Sequence, residues 1–161
     1  MRLMIAFLAA ILVPACLLAA WYLYGQFQAF DAADPYIWVR TRGFLLSCLM
    51  ISAAHVVVLG IPAYALLRWC KAIRWWSTVA TGFILGAIPV AVMAWPLQYA
   101  ELKSSATVDG VQTMIDGMPT FAGWTQYFEG LSFFGACGAL GAFAFWLTAR
   151  ETFQRSTIVV E

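Results

Sequence analysis

Apolar residues in this chain come in long unbroken runs rather than in strand-like alternation or along one helical stripe. Stretches free of Asp, Glu, Lys and Arg cover residues 3–30, 43–67, 75–100 and 130–149. A helix needs about 20 residues to cross a hydrocarbon core, and each run meets that length. Buried strands would be shorter and bounded by turn signals, and a membrane barrel would alternate apolar with polar residues. The pattern predicts an all-α integral membrane protein, a four-transmembrane-helix bundle with spans near 4–24, 44–67, 76–97 and 129–149. Loops 25–43 and 98–128 then fall on one side, and a short loop 68–75 on the other.

Composition agrees with this reading. The 161 residues are 63% hydrophobic and 11% charged, and asparagine is absent. Soluble domains carry about 25% charged residues. The opening "MRLMIAFLAAILVPAC" has features of a signal peptide, but its apolar run continues through "LLAAWYLYG". That exceeds the 7–15 residues of a signal core, so an uncleaved first span is expected.

Charge sets the expected orientation. Arg2, Arg68, Lys71, Arg74, Arg150 and Arg155 share one side of the four-span scheme with Glu151 and Glu161. The other side has Arg40, Arg42 and Lys103 against Asp31, Asp34, Glu101, Asp109, Asp116 and Glu129. Basic residues concentrate on the cytoplasmic side, which puts both termini in the cytoplasm of a bacterial inner membrane. Trp69, Trp75, Trp76 and Trp146 then mark the inner interface, and Trp21, Trp38, Trp95 and Trp124 the outer one. Arg68, Lys71 and Arg74 in the short loop suit contact with anionic lipid, or topogenesis alone.

Helix packing is legible in the glycines. "GFILG" places Gly82 and Gly86 four apart, and "GLSFFGACGALGAFAFW" carries Gly135, Gly138 and Gly141. Lipid tails are as apolar as leucine, so spans associate where small residues let backbones approach. That surface serves the chain's own helices or self-association with a second copy. Pro62 and Pro89 are expected to bend spans two and three. Cys16, Cys48, Cys70 and Cys137 have no metal-ligand spacing, and the chain has a single histidine, so no metal or cofactor is expected.

That histidine, His55, lies near the middle of span two. Cys48, Ser52, Leu59 and Pro62 fall at helical spacing from it, a weakly polar stripe that turns His55 toward protein. An ionisable residue at this depth is a functional suspect. No span offers a second charged or amide station beside it, which favours a hydrogen-bonded packing role over a proton or ion pathway.

The loops carry the remaining information. Asp34-Pro35 reads as a helix start. Val108, Val111, Met114, Ile115 and Met118 are spaced for a short amphipathic helix with acids outward, ended at Gly117-Met118-Pro119. Asp116, Phe121, Trp124, Tyr127 and Phe128 then form a candidate partner-docking surface. No G-x-S-x-G, HExxH, paired-carboxylate or phosphate-loop motif is present, which predicts a non-enzyme with no nucleic-acid role. The expected function is an accessory or assembly subunit of a membrane complex, working through another membrane or periplasmic protein. By span count and size the chain resembles small immunity proteins against pore-forming toxins, small multidrug transporters and accessory subunits. Those resemblances imply two alternatives, immunity and a small transporter or channel using His55. A transporter of that kind is expected to hold a membrane-embedded carboxylate, and this chain has none.

Overall fold

The computed structural model describes residues 2–158. Glu161, counted among the charges above, lies outside that range. Its elements are α1 (Arg2–Ala29), α2 (Tyr36–His55), a π-helical turn (Val56–Gly60), α3 (Ile61–Trp69), α4 (Trp75–Met93) and a 3-10 segment (Pro96–Leu102). Strands β1 (Ala106–Val108), β2 (Val111–Ile115) and β3 (Met118–Pro119) follow, then α5 (Phe121–Ile158). Four helical stretches are long and apolar enough to cross a membrane: Arg2–Ala29, Tyr36–Trp69, Trp75–Gln98 and Phe121–Arg150. The chain divides into two units, Met1–Gly82 with Ala139–Glu161, and Phe83–Gly138.

In the first unit, α1 buries a face of small residues: Ala6, Ala10, Pro14, Ala15 and Ala19. Ala6 and Ala10 pack with Phe145 and Ala149 of α5, and Leu3, Phe7, Val56 and Tyr64 close over them. The Phe7 ring lies 4.9 Å from Phe145 and meets Tyr64 edge-on at 5.8 Å. Aromatic pairs at such geometry add about 0.5–1.5 kcal/mol beyond burial. A Cβ on Gly141 would sit 2.8 Å from the Ala10 carbonyl oxygen, so α1 and α5 touch through backbone there. Further along, Tyr22 stacks on Phe44 at 4.4 Å and ties α1 to α2.

Pro62 acts through a change of helix type. The Ile61 N–H bonds to the Val56 carbonyl, five residues back, and Pro62 has no N–H to offer the carbonyl of Val58. The helix widens into one π turn there. The extra residue shifts the helical phase. Cys48, Ser52, His55 and Leu59 therefore share the half-buried face, whereas Pro62 points outward.

In the second unit the expected amphipathic helix is replaced by a three-stranded antiparallel sheet, order β1-β2-β3. The chain is therefore mostly, not wholly, α-helical. The reason is local. Val108 pairs with Val111 around Asp109-Gly110, and Ile115 with Met118 around Asp116-Gly117. All four turn residues have positive φ, 49° and 78° in the first turn, 48° and 81° in the second. Two-residue hairpin loops of this type need positive φ at both positions, which Asp-Gly supplies with little strain. Two such turns within nine residues outweigh the helical spacing of the apolar side chains.

Candidate functional site

The sheet is fastened to the start of α5. Thr120 is the N-cap: its Oγ1 accepts the Gly123 N–H at 3.2 Å, and its carbonyl accepts that of Trp124 at 3.0 Å. The same hydroxyl donates to the Gln112 carbonyl at 2.7 Å, and the Thr120 N–H to Thr113 at 3.0 Å. A side chain on Gly123 would collide with the Thr113 carbonyl oxygen, so β2 rests on bare helix backbone. Sequence reading passed over Gly123, although a glycine three residues after a threonine cap is a visible signal.

The expected docking residues divide into two kinds. Tyr127 is buried, and its hydroxyl donates to the Ala91 carbonyl at 3.2 Å. Ala91 belongs to the last turn of α4, where carbonyls lack helical partners. Met93 in that turn receives the Gln98 amide at 2.8 Å, so side chains complete the helix end. Trp124 is half-buried; its ring lies 5.8 Å from Trp95 and 6.0 Å from Tyr127, both edge-on. Tyr127 and Trp124 thus hold this unit together. Phe121 and Phe128 are the presented residues, 89% and 54% exposed. Asp116 occupies the left-handed corner of the second hairpin, its N–H held by the Ser105 hydroxyl at 3.2 Å.

Val108 pairs with Val111 and Ile115 with Met118, so each hairpin carries its own apolar pair beside its turn, and the register slips by one residue between the two pairs. The four apolar residues remain exposed, from 40% at Val108 to 58% at Met118. The β3 edge is blunted by Pro119, which has no N–H to offer a further strand, and the extra residue of the register slip is Thr113 in the central strand.

The helix-packing glycines are brought together in two places. A Cβ on Gly86 would lie 2.5 Å from the Phe134 carbonyl oxygen and 3.1 Å from the Cα of Gly138. A Cβ on Gly135 would lie 2.7 Å from the Phe83 ring. Gly141 makes the separate contact with Ala10 described above, and Gly82 is half-buried one turn before Gly86. The small face of α1, with Ala6, Ala10 and Pro14 four apart, is a second packing signal that sequence reading passed over.

Two connections of the first unit treat their cations differently. Near α2, Arg40 pairs with Asp34 at 3.5 Å, donates to Gln26 Oε1 at 3.3 Å and covers the Phe30 ring at 4.3 Å. Asp34 also accepts the Tyr36 N–H at 2.9 Å, which fits its expected role at the helix start. Between α3 and α4, Arg68, Lys71 and Arg74 are exposed, and no carboxylate among the described residues pairs with them. The turn closes α3 with a Schellman motif: Ala72 N–H to Leu67, 3.0 Å, and Lys71 N–H to Arg68, 3.1 Å. Lys71 holds the left-handed corner at φ 52°, where glycine is usual. A side chain there costs about 1 kcal/mol. Ser77 fastens the far side, its hydroxyl accepting the Arg74 N–H at 3.1 Å and donating to the Ala72 carbonyl.

His55 is half-buried at the residue where the π turn begins. Among the described residues no group of three or more His, Cys, Asp or Glu is placed to hold a metal. Comparison with protein families, curated proteins and solved structures finds no match.

Proposed function

We propose that this chain is a non-enzymatic multi-pass protein of a bacterial inner membrane, working by contact with another membrane or periplasmic protein as an accessory or assembly subunit. In this reading both termini lie in the cytoplasm, and the sheet and the start of α5 form an extracytoplasmic cap. The bias of basic residues supports the orientation, and so does Arg40: one of the few cations on the outer side is neutralised by Asp34. The observation that carries the docking role is the exposure of both apolar hairpin pairs, Val108 with Val111 and Ile115 with Met118, with Phe121 close behind in the chain. Exposed apolar side chains grouped on a small hydrogen-bonded element mark an interaction surface.

A photocrosslinking residue at 111 or 118 tests this in native membranes. The expected result is a discrete adduct with another protein from both positions, and none from residue 69 at the end of α3. Equal labelling from all three positions, or none from 111 and 118, overturns the docking role.

The π turn at His55 supports a second reading, a small transporter or channel, because such turns recur at functional sites in helices. That reading requires ion or substrate flux in reconstituted vesicles, lost in His55→Ala with the fold retained. An immunity role has no comparable support.

A further inference from the structure

We infer that the turn joining α3 to α4 is a binding site for the phosphate headgroup of an anionic phospholipid, held by Arg68, Lys71 and Arg74. The inference rests on the orientation proposed above, which puts this turn at the cytoplasmic leaflet. Three observations carry it. All three cations are exposed, with no carboxylate partner among the described residues, whereas Arg40 in the same unit is matched by an acid, an amide and a ring. Trp69, Trp75 and Trp76 surround them in sequence and present 82%, 56% and 55% of their surface. Indoles settle at the headgroup level, so the cations sit where lipid phosphate is concentrated. Finally, Lys71 occupies a left-handed corner that glycine would fill with less strain. Lysine there keeps a third cation on the turn between Arg68 and Arg74, where glycine would supply none. The Schellman closure and the Ser77 bonds fix the backbone between Arg68 and Arg74, so the cations are presented by a defined turn and not by a floppy loop.

The test uses the full chain in detergent, with lipid retention read by native mass spectrometry and thermal stability followed as lipid is added. Phosphatidylglycerol, phosphatidylcholine and inorganic phosphate are the probes. Wild-type protein retains phosphatidylglycerol at least tenfold more strongly than phosphatidylcholine, and inorganic phosphate leaves its thermal midpoint unchanged. The triple variant R68Q/K71Q/R74Q loses the preference. Lys71→Gly serves as the second variant, because relief of the left-handed strain raises its midpoint in phosphatidylcholine while its phosphatidylglycerol preference falls. Undiminished preference in both variants overturns the site, and stabilisation by inorganic phosphate equal to that by lipid overturns the lipid assignment. Reporter fusions after residues 72 and 108 separate the two readings. A reversed topology with intact lipid preference overturns the orientation, and a correct topology without preference overturns the site.

Discussion

Gly86, Gly135 and Gly141 occupy helices, and so do Gly25 and Gly43, yet the two sets have opposite surroundings. Around the first set, an added Cβ would lie 2.5–2.8 Å from a carbonyl oxygen or a phenylalanine ring. Around Gly25 and Gly43 nothing lies within 4 Å. Gly60, in the π turn, meets only the Val56 side chain at an ordinary 3.6 Å. An apolar helix therefore does not make its glycines packing residues; the element opposite does. Where backbone faces backbone, the missing side chain is the contact. Where lipid or solvent faces it, glycine only loosens the helix.

The sharpest way to break that contrast is a large side chain at one position of each kind. Gly86→Leu drives a branched side chain into the Phe134 carbonyl and the Gly138 backbone, neither of which can rotate away. The expected loss is about 3 kcal/mol or more, seen as a large drop in the thermal midpoint in detergent, or as failure to accumulate. Gly43→Leu is expected to stay close to wild type. Similar midpoints for the two variants would mean that α4 and α5 do not meet at Gly86.

Next in size is Gly123→Ala. A single methyl group meets the Thr113 carbonyl oxygen, so either β2 lifts off the helix or the Thr120 cap opens. A loss of about 1–3 kcal/mol is expected from overpacking against backbone. Because the collision is confined to the sheet junction, protease sensitivity between residues 105 and 119 is expected to rise before the helices melt. Unchanged protection of that segment would remove the sheet from α5.

How much of this was legible in the chain depends on the range of the controlling interaction. The four long helices follow from runs of apolar residues, a property each segment carries by itself. The GxxxG of α4 and the glycine-rich α5 announce close approach, but only the fold names the Phe134 carbonyl and the Phe83 ring as what approaches. The cap departs from its expected helix because Val108, Val111, Ile115 and Met118 satisfy a helical period while pairing across two turns. The two Asp-Gly pairs were the better signal, since positive φ at both residues closes a hairpin. The role of Tyr127 was not legible at all. Its partner is the Ala91 carbonyl, thirty-six residues away, and nothing local distinguishes a capping tyrosine from an interfacial one.

That tyrosine gives a smaller test. Tyr127→Phe keeps the ring among Trp95, Trp124 and Phe128 and deletes only the hydroxyl, leaving the Ala91 carbonyl without its donor. The expected cost is about 1 kcal/mol, the usual net value of such a bond. Phe121→Ala removes an exposed ring and should leave stability unchanged. If partner crosslinking falls in Phe121→Ala but not in Tyr127→Phe, docking belongs to the presented residues and the buried tyrosine serves the fold. The reverse result would reassign them.

The smallest effect is the most exposed to refutation, because its sign is opposite to the rest. In helix interiors, glycine is less favourable than alanine by roughly 0.5–1 kcal/mol, since it has more backbone freedom to lose. Gly25→Ala and Gly43→Ala add a methyl group into open space, so each should raise the thermal midpoint slightly, with the full effect reduced where lipid already restrains the chain. The Gly43 carbonyl accepts the Ser47 hydroxyl at 3.1 Å, a bond the methyl group does not disturb. A small rise at both sites would leave the contrast intact: glycine serves close contact on α4 and α5 and nothing comparable on α1 and α2. A fall at Gly43 alone, measured in membranes but absent in detergent, would mean that something outside this chain packs against α2 there. That outcome would move the search for a partner from the cap to the second span.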